Sequence, residues 1–247
     1  MSSIQTPSIY CSGRRGQLSR YLISRGLQPL PSQLENLQFE PLSTLVLTYS
    51  PTQRKETLQS YEDEIAYYKG LLNSLRSTAD RVRILYVSSQ TVILDDQSLY
   101  AKAKLQVEGL ITQSGLPSLI LRPGFIFTDD DHLFIPSLAR IAPLPLTLGV
   151  SNPQFSACRA ADILQRARDY SQAELAKVDH CRLEHIGVSL MSFTQILDLQ
   201  CPMSFRFPVP FPLLRVLAIA SPKLRKIVRP VSSTPFPNTA LVSYYDR

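Results

Sequence analysis

An α/β fold built on an open parallel sheet is the architecture this chain predicts, and three observations carry it. Residues Ile84 to Ser89 are an apolar, β-prone run that ends in two hydroxyl residues. A helix-patterned segment follows and carries Tyr100 four residues before Lys104. A second apolar run, Leu119 to Leu121, then ends in Arg122, Pro123 and Gly124. Strand, helix and strand form one crossover unit, with polar groups gathered where the strands stop and the helix starts. In open parallel sheets that edge is where ligands bind.

Composition narrows the class. The 247 residues suffice for one sizeable domain, or one domain with a small cap. Hydrophobic residues are 44% and charged residues 19%, as in ordinary globular proteins. The net charge is +6. Its lysines and arginines are spread along the chain, with 215–229 locally basic. Such charge serves solubility or draws anionic substrates. No basic run is interleaved with aromatics in the way of single-strand binders, so nucleic acid is not an expected partner. Cys11, Cys158, Cys181 and Cys201 show no metal-ligand spacing, and only 3 histidines exist, so no metal site is expected. Free thiols in a reducing cytoplasm are the expectation. Met1 to Pro7 lacks a basic and then apolar signal pattern. No apolar run reaches the roughly 18 residues of a membrane span.

The central unit suggests a chemistry. Residues four apart on a helix share a face, so Lys104 can hold its ammonium near the Tyr100 phenol. A phenol ordinarily titrates near pH 10, and a nearby cation lowers that value. With Ser98 or Asp96 as cap, Tyr100 lies in the first helical turn, where partial positive charge acts in the same direction. Ser89 could hydrogen-bond the same substrate oxygen. Together these groups could move a proton on an oxygen while a hydride moves at the attached carbon.

This arrangement resembles the short-chain dehydrogenase/reductase superfamily, and most closely its extended branch of NAD(P)-dependent sugar-nucleotide epimerases, dehydratases and keto-reductases. The residues that carry the resemblance are Ser88-Ser89-Gln90-Thr91-Val92, Tyr100 to Lys104 with Glu108 beyond, and Leu121-Arg122-Pro123-Gly124. The resemblance implies a doubly wound parallel sheet, the NAD(P)-binding Rossmann fold, with a small C-terminal substrate lobe. It implies a single domain over 1–247, in which about 128–155 and 180–247 contribute that lobe. It further implies that Tyr100 is the acid/base, Lys104 its tuner and ribose anchor, Ser89 the group that orients the oxygen, and Pro123 a border of the nicotinamide. The expected function is oxidation–reduction or epimerisation of a nucleotide-linked sugar, with keto-sugar reduction first. The rival is a catalytically degenerate NAD(P)-binding protein with a structural, sensing or assembly role. An unrelated α/β hydrolase would need a Gly-x-Ser-x-Gly turn, which is absent.

From the N-terminus, residues 8–11 read as a short strand, Gly13 to Gly16 as a glycine turn, and the segment to Arg25 as a helix stopped by Gly26. Strand, glycine turn and helix are the required context for a dinucleotide fingerprint. The resembling family has Gly-x-x-Gly-x-x-Gly; here Gly13 and Gly16 supply the first two and Ser19 stands third. Gly13, Arg14, Arg15 and Gly16 are the expected holders of the cofactor phosphates. A second strand at 27–30 lacks the acid expected to hold the adenosine ribose, and Glu35 comes too late. That absence, with Arg14 and Arg15, slightly favours NADP over NAD; two solvated arginines are the alternative.

Residues 44–49 form a buried strand so soon afterwards that any intervening strand and helix are abbreviated or missing. Residues 60–76 read as a helix with Tyr61, Ile65, Tyr68, Leu72 and Leu75 on one stripe. Tyr67 and Leu71 widen that face, which either covers its own sheet or pairs with its copy in a homodimer. Strand 83–88 and helix 98–115 follow, separated by a shortened loop in which Asp95 and Asp96 either cap the helix or touch substrate. Asp129 to Asp131 read as solvated loop acids, and 136–153 is a proline-rich segment. A strand near 154–157, a helix over about 160–170, a strand at 182–188 and a short helix from Ser192 complete the pattern. The tail 205–230 is rich in proline, then apolar and basic.

Overall fold

The structure, a computed structural model, describes residues 7–31, 39–76, 81–94, 98–128, 143, 146–148, 154–173, 181–186, 189–198 and 201–209. Glu35, Asp95, Asp96, the Asp129–Asp131 run, most of 136–153 and the tail from 210 lie outside the described residues. Two compact units are formed: Met1–Arg122 with Ala160–His185, and Pro123–Arg159 with Ile186–Arg247.

The first unit is a doubly wound α/β sheet. Its strands are β1 (Ile9–Cys11), β2 (Gln28–Pro29), β3 (Ser43–Leu47), β4 (Val82–Val87), β5 (Ser118–Pro123) and β9 (Cys181–Ile186), in the spatial order β2-β1-β3-β4-β5-β9. The pairs β1–β2, β1–β3, β3–β4 and β4–β5 are all parallel. β3 and β4 are buried at every position, as strands covered on both faces are, with Ser43, Thr44 and Arg83 among their largely apolar residues. The chain goes from β1 to β2 on one side, then crosses to β3 on the other. That reversal makes the C-terminal ends of β1 and β3 the topological switch point. The only described strand beyond β1 is the two-residue β2, in keeping with the short connection read from the sequence.

Alternation along the strands sets which helices cover which face. Leu45, Leu47, Ile84 and Tyr86 join one core cluster with Ile65, Tyr68, Leu72 and Leu75 of α3 (Leu58–Leu75) and Val107 and Ile111 of α5 (Leu99–Gln113). On the other face pack α1 (Gln17–Ser24) and α6 (Ala160–Gln172), the latter against β1, β3 and β4. Between β3 and α3 lies the short α2 (Pro51–Arg54), and between β4 and α5 the short α4 (Thr91–Leu94). Neither is evident in the sequence pattern. Helix α3 starts where the Thr57 side chain accepts a bond from Ser60 N at 3.2 Å. Helix α5 starts where Ser98 accepts from Ala101 N at 3.1 Å, which settles its cap on Ser98. It stops before Gly115, whose φ of 72° suits glycine.

Of the two alternatives for the wide face of α3, burial favours cover of its own sheet. Leu71 is 3% exposed and belongs to the core of its own sheet, and Tyr67 is half-buried against it. The wide stripe of α3 is consumed within the chain, so a charge at Leu71 would break the core and not a contact between copies.

In the second unit, β6 (Phe125–Phe127), β8 (Gln154–Arg159) and β10 (Ser189–Ser192) form a sheet ordered β10-β8-β6, with β8 parallel to β6 and antiparallel to β10. β7 (Leu146–Leu148) pairs in parallel with β11 (Phe207–Val209), and α7 (Phe193–Asp198) follows β10. Gly124 closes the Arg-Pro-Gly motif because nothing larger fits: a Cβ there would collide with the Ser156 carbonyl oxygen. Among the described residues no helix is long and apolar enough to cross a membrane.

Candidate active site

The switch point is built first by the glycine turn. Gly13 has φ of 77°, and a Cβ there would approach Ser19 Oγ and Thr48 Oγ1 to 3.1 Å and Tyr49 N to 3.2 Å. Gly16 N bonds back to Gly13 O at 2.8 Å and Gly16 caps α1 without a side-chain acceptor; the first turn holds no acid. Amides at such a helix start favour an anion. Ser19, standing where the third glycine is expected, shares a 2.7 Å hydrogen bond with Thr48. Thr48 Oγ1 donates to Ser12 O at 2.7 Å, and Thr48 N donates to Ser12 Oγ at 3.0 Å. The serine therefore ties α1 to the end of β3.

Arg14 turns towards β2. Its Nε and Nη2 donate to Leu30 O at 3.3 and 3.0 Å, which sets a guanidinium at the strand tip where a ribose-binding acid is expected. Arg15 is exposed beside it. A dinucleotide fits this turn: a cradle that a Cβ would fill, a helix start without acid or side-chain cap, and two arginines alongside. Cys11, buried under the turn, has its thiol pushed up to about 11 by burial, so it stays protonated at neutral pH.

A row of aromatic rings runs from this turn along the strand ends. Tyr49 and Tyr67 lie 4.4 Å apart between centres, Tyr67 and Tyr68 5.2 Å, and Tyr68 and Tyr86 5.4 Å. Tyr68 Oη donates to Tyr49 O at 2.8 Å. The Lys104 ammonium then sits 4.9 Å from the Tyr86 ring centre and 5.7 Å from that of Tyr100.

Ser89, Tyr100 and Lys104 are brought together. Ser89 is the second residue beyond β4; its Oγ donates to Thr91 Oγ1 at 2.9 Å and accepts from Thr91 N at 3.1 Å. Tyr100 is half-buried in the first turn of α5. Burial pushes its phenol up to about 12, a side-chain hydrogen bond with Ser89 pulls it back, and the Glu64 carboxylate raises it further. The expected lowering by Lys104 is not found. The reason is that the ammonium, 2% exposed as a residue, donates to Val87 O at 3.3 Å and pairs with Glu64 Oε1 at 3.7 Å. Burial lowers the Lys104 value while Glu64 and Glu108 oppose that shift.

Two acids complete the surroundings. Glu108 accepts from Ser88 Oγ at 2.5 Å and from Arg122 Nε and Nη2 at 3.0 and 2.5 Å. This fork joins the ends of β4, α5 and β5, and Pro123 follows Arg122 as the buried last residue of β5. Glu64 was missed by motif reading. The available signal was its place three residues after Tyr61 and four before Tyr68, a charge on the apolar stripe of α3.

No protein-family model matches the chain, and no curated protein matches it in sequence. Solved structures do match. One described as MoeE5 in complex with UDP-glucose and NAD has TM-score 0.59 at 15% identity, over 82% of this chain and 84% of that one. RMD from Pseudomonas aeruginosa, complexed with NADPH, has TM-score 0.60 at 16% identity, over 82% and 87%. UDP-glucose 4-epimerase from Thermotoga maritima, with UDP-glucose, has TM-score 0.60 at 12% identity, over 82% and 85%. The chain shares the Rossmann-type fold of these proteins.

Proposed function

We propose that the chain is an NAD(P)-dependent oxidoreductase acting on a nucleotide-linked sugar, with reduction of a keto sugar as its reaction. The observation that carries the reading is the convergence of Ser89, Tyr100 and Lys104 at the strand ends of the sheet whose first strand ends in the glycine turn. Structures of the same fold that hold UDP-glucose, NAD or NADPH support the choice of ligands.

In this reading Gly13, Gly16 and the α1 amides hold the pyrophosphate, with Arg14 and Arg15 beside the adenosine end. Pro123 is assigned to the nicotinamide edge. A bound NAD(P)H supplies the hydride. Ser89 orients the substrate carbonyl oxygen. Tyr100, protonated throughout the neutral range, donates its proton to the oxygen as charge develops there. An alkoxide is a stronger base than a phenolate, so this transfer runs downhill, and the phenolate is reprotonated from solvent. A phenol held this high suits the acid direction better than proton abstraction from a sugar hydroxyl. Lys104 stands beside Tyr100 with its ammonium held by Val87 O and Glu64. The proposed compartment is the reducing cytoplasm, and the four cysteines are all free.

The same geometry favours a second reading, a cofactor-binding protein without turnover, because Lys104 is paired with Glu64 and does not activate the phenol. Titration of purified protein with NADH and NADPH, followed by turnover on nucleotide-linked 4-keto sugars, separates the two. Binding with turnover supports the enzyme, binding without turnover on any substrate supports the second reading, and absence of binding overturns both.

A further inference from the structure

Glu64 belongs to none of the motifs, yet it is fully buried and carries a charge. Its two oxygens have divided duties. Oε2 accepts from Ser50 Oγ at 3.0 Å, from Thr52 Oγ1 at 2.5 Å and from Thr52 N at 3.4 Å. Oε1 is buried with no hydrogen bond and lies 3.7 Å from Lys104 Nζ. A carboxylate held so firmly on one oxygen cannot turn away, and a buried ammonium facing it has strong reason to stay.

We infer that Glu64 is a positioning residue for the Tyr100–Lys104 pair: anchored by Ser50 and Thr52, it holds the ammonium on the Val87 and Tyr86 side and balances its charge. The inference deepens the proposed reduction and rests on the reading of Tyr100 as proton donor. It supplies what that reading lacked, a reason for a lysine beside the phenol to leave it un-ionised. Among the described residues, other ionisable groups face the cluster as follows. Glu108, one turn along α5, is forked by Arg122. Glu56 approaches the Tyr100 backbone, its Oε1 3.5 Å from Tyr100 N. Tyr68 on α3 and Tyr86 on β4 are phenols kept neutral by burial.

Glu64→Gln keeps the shape and an oxygen acceptor but removes the negative charge that faces Lys104 and raises the Tyr100 phenol. The readout is the phenolate ultraviolet absorbance against pH, assigned to Tyr100 by subtracting the same titration of a matched Tyr100→Phe variant. The expected result is a fall in the Tyr100 midpoint of roughly 1 pH unit relative to the parent, because a like charge near the phenolate has been removed. An unchanged midpoint overturns the inference. If Glu64→Gln does not fold, Glu64→Asp carries the test: the shorter arm draws the charge back from Lys104, and the midpoint should fall part of the way. No movement there overturns it equally. No substrate or cofactor is present, so this result stands apart from turnover, whose failure would overturn the proposed reaction instead.

Discussion

Ser19 Oγ and Thr48 Oγ1 share a 2.7 Å hydrogen bond directly beneath Gly13. A serine in place of a third glycine has become a tie between α1 and the end of β3, so the turn is closed by a polar bond and not by bare backbone packing. Ser19→Ala should cost about 1 kcal/mol in denaturant unfolding, the worth of an ordinary hydrogen bond. Gly13→Ala should cost more, about 1–3 kcal/mol, since it adds left-handed strain to the crowding around Ser19 and Thr48. Equal stability of Gly13→Ala and the parent would contradict the turn geometry.

The Glu108–Arg122 fork makes a second prediction. Both side chains are largely buried, 8% and 15% exposed. Arg122→Met strands a carboxylate, and removing one partner of such a pair costs about 3–5 kcal/mol. The double variant Glu108→Gln with Arg122→Met should recover most of that loss. Additive losses in the two single variants would mean that the residues do not act as a pair.

Much of this was legible beforehand. The buried strands read as largely apolar runs at 44–49 and 83–88, and Ser98 is one of two candidate caps of its helix. The shortened connection after β2 was also visible from spacing. What the sequence hid was set by tertiary packing. Tyr67 and Leu71 look like surplus apolar surface in one dimension, but the sheet is wide enough to take them. Lys104 looks like a cation aimed at Tyr100, because the carboxylate that claims it comes from α3, forty residues earlier in the chain.

Alkaline pH offers a third test. The Tyr100 phenol is raised from near 10 in an unfolded chain to about 12 in the fold. The folded state therefore binds this proton more tightly. Its contribution to stability is complete below about pH 10 and is lost as pH rises through about 12. Tyr68 and Tyr86 are shifted in the same direction. Stability should fall steadily across that window, and Tyr100→Phe should flatten the fall by the share of one proton. An unaltered slope would count against the raised value.

Cofactor preference follows from Arg14, whose guanidinium is fixed at the tip of β2 by Leu30 O. NADPH should bind more tightly than NADH. Replacing Arg14 and Arg15 together by alanine should narrow the gap by roughly 1–3 kcal/mol, the range of a charge-assisted contact. Equal affinities in the parent would remove the case for a 2′-phosphate site.

The central claim is that Tyr100 delivers the proton. The direct measurement is NAD(P)H oxidation with a panel of nucleotide-linked 4-keto sugars, run on the parent and on Tyr100→Phe. Phenylalanine keeps the ring, so cofactor affinity should survive, and the rate should fall about 10²–10⁴-fold, the usual share of general acid catalysis. A parent that turns over beside a Tyr100→Phe variant of equal rate would contradict the account.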